Sequence, residues 1–233
     1  MIIPAYNEEE SILKTVNSVV EYSKTCDFAL DYIVINDGST DSTLSILREN
    51  NFNYIDLIQN LGIGGAVQTG YIYANLKKYD IAVQFDGDGQ HDINSLENIV
   101  SPIIKGDADF VVGSRFVEGT SLFKSTFMRR VGIKWLSAVI HLFSGTKIHD
   151  VTSGFRAANR KTIKLLAKDY PLDYPEPESI VTLVKNGISV SEAPVNMFER
   201  DGGVSSISSW KSIYYMIKVT LAIFCAGLQQ KVK

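Results

Sequence analysis

Apolar residues come along this 233-residue chain in short, strand-length bursts separated by amphipathic stretches of helical length. Ile2-Ile3-Pro4-Ala5-Tyr6-Asn7 opens as a strand, with only two or three residues before Pro4, and stops at a turn. Glu8-Glu9-Glu10 leads into a helix with Ile12, Leu13, Val16, Val19 and Val20 on one face, and acidic residues suit the positive end of that helix. Further strands are expected at Tyr32–Asn36, Asn53–Ile58, Ile81–Phe85 and Asp109–Gly113, with helices at about Ala66–Leu76 and Ile93–Ile104. Strands alternating with helices predict an α/β fold with a mostly parallel sheet. Such sheets bind ligands at the carboxyl ends of their strands. The polar turns Asp37–Thr43, Asn60–Gly65 and Asp86–Asp92 all follow strands, so the rule gathers them on one rim.

Beyond Gly113 the rhythm changes. A helix over Phe127–Phe143 has Arg130, Lys134, Ser137 and His141 on one stripe and Trp135 among its apolar residues. That pattern describes an interfacial membrane helix, and equally a core helix with one wet face. Asp150–Arg156 reads as a polar loop around Gly154, and Tyr174-Pro175-Glu176-Pro177-Glu178 as a stiff approach to a helix over Ser179–Lys185. Ile188–Met197 alternates as a strand into the loop Phe198–Ser206, whose arginine, glycines and hydroxyls suit an anion, as they would any solvated loop. The tail Ile213–Leu228 is apolar except for Lys218 and Thr220. Its 16 residues fall short of the roughly 20 that span a bilayer. Trp210, Tyr214 and Tyr215 at one end and Lys231 and Lys233 at the other are interface flanks. The chain is therefore expected to divide into a domain over 1–206 and a membrane-associating helix over 207–233, with no linker or internal repeat.

Composition is that of a globular protein, 45% hydrophobic and 21% charged. The net charge of −3 hides an asymmetry: residues 1–120 hold 7 Lys and Arg against 18 Asp and Glu, and residues 121–233 hold 16 against 8. The acidic first half argues against nucleic acid, whereas the basic second half suits an anionic membrane or a phosphorylated ligand, unless the imbalance merely decorates solvated helix faces. No basic segment followed by a long apolar run opens the chain, so no secretory signal is expected. Cys26 and Cys225 have no metal-type spacing and read as reduced thiols of a cytosolic protein.

The chemistry concentrates where Ile81-Ala82-Val83-Gln84-Phe85 delivers Asp86 and Asp88 into a glycine-flanked turn. Gly87 lets both carboxylates lean toward one point, where they would repel unless a cation sits between them. A hard ion held by one or two carboxylates and completed by phosphate oxygens is the usual Mg²⁺ or Mn²⁺ arrangement. An acidic surface turn without an ion is the plainer alternative. Gly62-Ile63-Gly64-Gly65 follows the third strand rather than the first and lacks dinucleotide spacing, and there is no P-loop Lys-Ser/Thr pair.

Taken in order, Pro4-Ala5-Tyr6-Asn7-Glu8, Asp37-Gly38-Ser39-Thr40-Asp41, Asn60-Leu61-Gly62, Asp86-Gly87-Asp88-Gly89-Gln90-His91, Gly113-Ser114-Arg115, Ser153-Gly154-Phe155-Arg156 and Arg200-x-x-Gly203-x-Ser205 resemble the family 2 glycosyltransferases of GT-A fold. Within them the chain is most similar to the polyprenyl-phosphate group that includes dolichol-phosphate mannose synthase. The resemblance implies a Rossmann-like sheet flanked by helices, a nucleotide-sugar donor and a polyprenyl-phosphate acceptor. It implies that Pro4, Tyr6, Asn7 and Glu8 wall the base and ribose, that Asp37 contacts the base or ribose beside Gly38, and that Gly62 lies against the nucleotide. Asp86, Gly87 and Asp88 would meet the donor diphosphate, with Asp86, Asp88 and Gln90 around Mg²⁺ or Mn²⁺. Arg115, Arg130, Arg156, Arg200 and Ser205 would hold the acceptor phosphate or the leaving diphosphate. Ser206 stands where mannose synthases usually have lysine, so Arg200 and the backbone of Gly202 and Gly203 would rebuild that clamp. A single apolar tail helix implies a peripheral enzyme at the cytoplasmic face of the membrane, or one held by a small membrane protein or a second copy of itself.

A phosphate acceptor, with a second pKa of about 6, arrives ionised and asks for arginines rather than a base. A sugar-hydroxyl acceptor would need a general base, for which Glu176 and Glu178 are placed by sequence, Glu178 being the retained candidate. The expected reaction is inverting transfer from a nucleotide-sugar, with UDP the expected carrier; Tyr174–Glu178 and Gly203–Ile207 resemble bacterial relatives, which implies N-acetylglucosamine or glucose as the sugar. Two rivals stand beside it: extension of a cell-wall or capsule glycan through a hydroxyl, and a non-catalytic membrane-bound scaffold. A nucleotidyltransferase would need a basic glycine-rich signature near the first strand, which Pro4–Glu8 lacks.

Overall fold

The computed structural model describes residues 1–117, 127–198 and 209–228. Seven strands form one sheet: β1 (Ile2–Ala5), β2 (Ile33–Asn36), β3 (Tyr54–Asp56), β4 (Ile81–Gln84), β5 (Phe110–Ser114), β6 (Arg156–Asn159) and β7 (Val190–Pro194). Their order across the sheet is β3-β2-β1-β4-β6-β5-β7. All pairings are parallel except those of β6, which runs antiparallel to both β4 and β5. The expected strands are present, and β6 is the addition. Arg-Ala-Ala-Asn has little intrinsic strand preference. Ala157 and Ala158 are fully buried between the two faces of the sheet, where small side chains let the flanking helices close in.

Helices α1 (Ile12–Ser23), α2 (Thr43–Glu49), α3 (Gly62–Leu76), α4 (Leu96–Ile104) and α6 (Arg160–Lys168) cover the sheet. One core joins Val16 and Val19 of α1 and Leu96 and Ile99 of α4 to Ile3, Val34 and Val111. The other joins Val67 and Tyr71 of α3 and Ile163 and Leu166 of α6 to Ile35, Phe110 and Val112. A third cluster packs α5 (Phe127–Ser144), α7 (Pro175–Lys185) and α8 (Ser209–Leu228) through Leu136, Ile140, Ile180, Val219 and Ile223. α7 begins one turn earlier than the sequence suggests. Pro175 occupies its first turn, where a missing N–H costs nothing, and Glu176 and Glu178 favour the positive helix end.

Pro4 lies inside β1. Its carbonyl accepts from Gly87 N (3.1 Å), so its missing donor falls on the β4 side, where the register of the two strands is a single pair, Ile2↔Gln84. The turns that follow β1 and β4 line one cleft.

Candidate active site

The cleft has a volume of about 370 Å³ and is lined by Pro4, Ala5, Tyr6 and Glu8 after β1, Asp37 after β2, Asn60, Gly62, Ile63 and Ala66 at the start of α3, and Asp86, Gly87 and Asp88 after β4. The three turns predicted on one rim and the turn after β1 thus meet at one site. Gly87 is small for a reason: a Cβ there would lie 2.9 Å from Pro4 O and 3.3 Å from the Ala5 side chain. Its carbonyl is pinned by Ser11 Oγ (2.8 Å) and Thr15 Oγ1 (3.3 Å), which aims the flanking carboxylates into the cleft. Gly38 combines a φ of +67° with contact against Gln59 and Asn60, so the turn after β2 admits no side chain.

Asp37 is almost wholly buried, and one of its oxygens accepts from Leu61 N (2.7 Å). Burial raises its pKa, opposed by the amides of Leu61 and Gly62. Asn7 adopts a φ of 54° and accepts from Thr40 N through Oδ1 (2.8 Å), while its own N–H donates to Ser39 Oγ (3.0 Å). Asn7 therefore shapes the rim by joining two turns, and it is not among the cleft's lining residues.

Asp86 is the best-supported side chain of the site. Gln84 Nε2 donates to its Oδ1 (3.0 Å), and His91 Nε2 lies 3.2 Å from its Oδ2. Burial pushes the Asp86 carboxyl up, but the His91 contact, the Gln84 bond and the nearby Arg156 charge together hold it below the usual carboxylate range. Asp88 Oδ1 accepts from Gln90 N (3.0 Å), closing the turn. Among the described residues no group of three or more His, Cys, Asp and Glu is placed to hold a metal by itself. Two carboxylates on one cleft wall, with Gln90 beyond them, nevertheless give the all-oxygen, incomplete donor set that Mg²⁺ or Mn²⁺ takes when phosphate oxygens complete the shell. The residues fit the ion.

Two arginines expected to hold phosphate are otherwise employed. Arg156 is 1% exposed and donates to Ser153 O (2.6 Å), Glu176 O (2.7 Å), Ser179 Oγ (2.9 Å) and Val151 O (3.2 Å), tying the loop before β6 to the start of α7. Buried this way it reaches no acceptor and acts on Asp86 through its charge. Arg115 forms a bidentate pair with Asp150 (2.7 Å twice) and donates to Thr152 Oγ1 (3.1 Å). Asp150 N in turn donates to Glu192 Oε1 (2.8 Å) on β7, so Arg115 is part of a structural network. Arg130 is exposed on α5, apart from the cleft lining. Arg200 and Ser205, and with them the Gly202–Gly203 clamp, lie outside the described residues.

The two glutamates of α7 also separate. Burial raises the pKa of Glu176, the Arg156 charge opposes this, and the Asp86 charge raises it further. Glu178 is pushed up to about 6 by burial and by Asp173 and Asp169, a different neighbourhood. Because its folded pKa exceeds its unfolded value, the folded state binds the extra proton and stability falls as pH rises from about 4.5 to 6. Glu178→Gln is therefore expected to raise Tm at pH 8, to leave Tm at pH 4 nearly unchanged, and to retain transfer within a few-fold. Loss of transfer by orders of magnitude would instead make Glu178 a base and favour a hydroxyl acceptor.

Gln84 has no role in the sequence-based expectations; Gly154 and His91 enter them only within their motifs, and Glu176 only as a candidate base. A glutamine interrupting an otherwise apolar strand was the signal for Gln84. Gly154 gave none, since its role depends on a chain segment nearly 70 residues from Asp86.

Residues 1–166 match the description Glycosyl transferase family 2. The UDP-N-acetylglucosamine–dolichyl-phosphate N-acetylglucosaminyltransferase of Methanococcus voltae is 32% identical over 84% of this chain and 83% of its own. The polyprenol monophosphomannose synthase of Mycolicibacterium smegmatis is 29% identical over 94% of this chain and 84% of its own. Among solved structures, mannosyl-3-phosphoglycerate synthase from Rubrobacter xylanophilus superposes with a TM-score of 0.71 at 14% identity, covering 100% of this chain and 75% of that one. Glucosyl-3-phosphoglycerate synthase from Mycobacterium tuberculosis, in complex with Mn²⁺ and UDP-glucose, gives 0.66 at 17% identity, covering 100% and 79%. These two likenesses concern the fold, which is that of the GT-A glycosyltransferases. Matched over residues 1–166 of its 233, the chain belongs to glycosyl transferase family 2 and is a glycosyltransferase.

Proposed function

We propose that the protein transfers one sugar, with inversion, from a nucleotide-sugar to a polyprenyl phosphate at a membrane surface. The observation that carries this is the meeting of Asp86 and Asp88 with Pro4, Tyr6 and Asp37 around one cleft, which suits a nucleoside diphosphate with its base at one end and its phosphates at the other. Asp37, fixed by Leu61 N–H, would accept a base or ribose proton, and Tyr6, half exposed, would lie against the base. A divalent cation bound by Asp86 and Asp88, with Gln90 nearby, would neutralise the departing diphosphate as a Lewis acid. An ionised phosphate needs no proton removed before it attacks, so the chain has only to bring it to the sugar's anomeric carbon and exclude water.

The acceptor class follows from the names of the two relatives above and from the basic second half of the chain. A UDP-linked donor carrying N-acetylglucosamine or glucose is the favoured pair, on the Methanococcus voltae relative and the Asp37 pocket. The test is a panel of labelled UDP-N-acetylglucosamine, UDP-glucose and GDP-mannose incubated with undecaprenyl and dolichyl phosphate. Lipid-extractable label from a UDP-sugar is expected. Label only on glycan acceptors would replace this reading with hydroxyl transfer, and donor binding without turnover would favour a scaffold.

The lipid would be reached from the surface. No helix among the described residues is long and apolar enough to cross a membrane. α8 instead buries Val219, Ile223 and Ala226 against α5 and α7 and turns Ile217, Leu221, Phe224 and Leu228 outward. Val131, Trp135 and Leu142 of α5 extend that apolar face, and neither helix contains an Asp or Glu. Such a face suits the interface of an anionic bilayer. Each buried Leu or Phe contributes about 1.5–3 kcal/mol. Replacing Leu221 and Phe224 together by glutamate should therefore lower partitioning onto phosphatidylglycerol vesicles by at least about 100-fold; unchanged partitioning would exclude this face.

A further inference from the structure

We propose that His91 and Gln84 are positioning residues that clamp the Asp86 carboxylate for a divalent cation, with His91 held as its Nε2–H tautomer. The proposal rests on the metal reading of Asp86 and Asp88 and adds to it the groups that make Asp86 a fixed ligand.

His91 is 7% exposed, and its ring packs against both Phe85 and Phe155, with centroids 5.4 and 5.0 Å away. Its backbone is held as well: His91 bridges Met197, Asp92 N donates to Asn196 O (3.3 Å) and Phe198 N donates to Gln90 O (2.7 Å). Nε2 points at Asp86 Oδ2, whereas Nδ1 is buried with no hydrogen-bond partner. A neutral imidazole has one N–H and one lone pair. With the proton on Nδ1, a donor would be buried without an acceptor and a lone pair would face a carboxylate. With the proton on Nε2, the ring donates to Asp86 and leaves only a weak acceptor unsatisfied.

Gln84 closes the other side. It is fully buried, donates to Asp86 Oδ1, and its Oε1 faces the hydroxyl of Tyr170 (3.5 Å), which fixes which end of the amide meets the carboxylate. Each Asp86 oxygen therefore accepts one internal bond. A carboxylate has about four acceptor sites, so acceptor capacity remains on Asp86, which lines the cleft. Partners of this kind hold a ligand's orientation, and losing one typically costs 10–100-fold in metal affinity. Packing against two phenylalanines alone would explain an aromatic ring at 91, but not a nitrogen aimed at Asp86.

The test uses the full chain as wild type, His91→Phe and His91→Gln, with Mn²⁺ as the probe in the presence of UDP and free Mn²⁺ read by electron paramagnetic resonance. His91→Phe should keep the ring contacts and weaken Mn²⁺ binding about 10–100-fold. His91→Gln, whose amide reaches to nearly the same point, should bind within a few-fold of wild type. Metal-free thermal unfolding reports whether each variant is folded. Wild-type affinity in His91→Phe, or equal loss in a folded His91→Gln, would overturn the clamp. A measurement without any variant also decides it: imidazole ¹H–¹⁵N spectra of the wild type should show His91 protonated at Nε2, and protonation at Nδ1 would overturn the assignment. Failure of the wild type itself to bind Mn²⁺ with UDP would instead remove the metal reading, so the two failures are distinct.

Discussion

Asp88→Ala should abolish sugar transfer to polyprenyl phosphate in the presence of Mg²⁺ or Mn²⁺ while leaving the chain folded. Asp88 sits on a turn at the cleft wall, closed by Gln90 N–H to its carboxylate. Removing it takes away one of two carboxylates that would share the cation, and with it the neutralisation of charge that grows on the leaving diphosphate. Losing one preorganised electrostatic contribution of this kind costs on the order of 10²–10³ in rate, and loss of the ion costs more. Steady-state transfer and thermal unfolding on the same preparation check both halves. Near-wild-type transfer by a folded Asp88→Ala chain would reject the metal role.

Gly154→Ala is expected to be nearly as damaging. A Cβ at 154 would lie 2.2 Å from Asp86 Oδ2 and 3.0 Å from its Cγ. Asp86 would have to move, and its bonds from Gln84 and His91 would break with it. Overpacking of this type costs about 1–3 kcal/mol of stability, and a carboxylate displaced from its ligand position should reduce transfer on the order of 100-fold. A modest fall in Tm with a large fall in transfer and in Mn²⁺ affinity is the expected signature. Parallel, small changes in all three would mean that Asp86 relaxes without leaving its place.

The strand-and-turn rhythm of residues 1–113 made the parallel half of the sheet legible, because each buried strand is a short β-rich apolar run ended by glycine, asparagine or aspartate. β6 was not legible: Ala157 and Ala158 carry no strand preference, and they form a strand because β4 and β5 supply partners on both sides. α6 was missed alongside it. Its start depends on the Asn159 side chain accepting from Thr162 N, a cap that follows from where β6 ends.

The candidate site divides the same way. Asp86, Asp88, Asp37 and Gly62 line one cleft because each follows a strand, which sequence order reveals. The arginines show what sequence order cannot. Arg115 and Arg156 carry the charge a phosphate needs, yet Asp150 engages the first and backbone carbonyls with Ser179 enclose the second. Which partner a charge meets is decided by tertiary neighbours tens of residues away. Likewise Pro175 starts α7 one turn early and puts Glu176 and Glu178 in its first turn, where Glu178 comes under the charges of Asp169 and Asp173.

The most direct measurement is transfer of labelled sugar from a UDP-sugar to undecaprenyl phosphate after removal of metal with a chelator, followed by titration with Mn²⁺ or Mg²⁺. Loss of lipid-extractable label on chelation and its recovery with added ion, in wild type but not in Asp88→Ala, is the expected result. Full transfer by the chelated wild type would contradict a reaction that relies on a cation between Asp86, Asp88 and the leaving diphosphate.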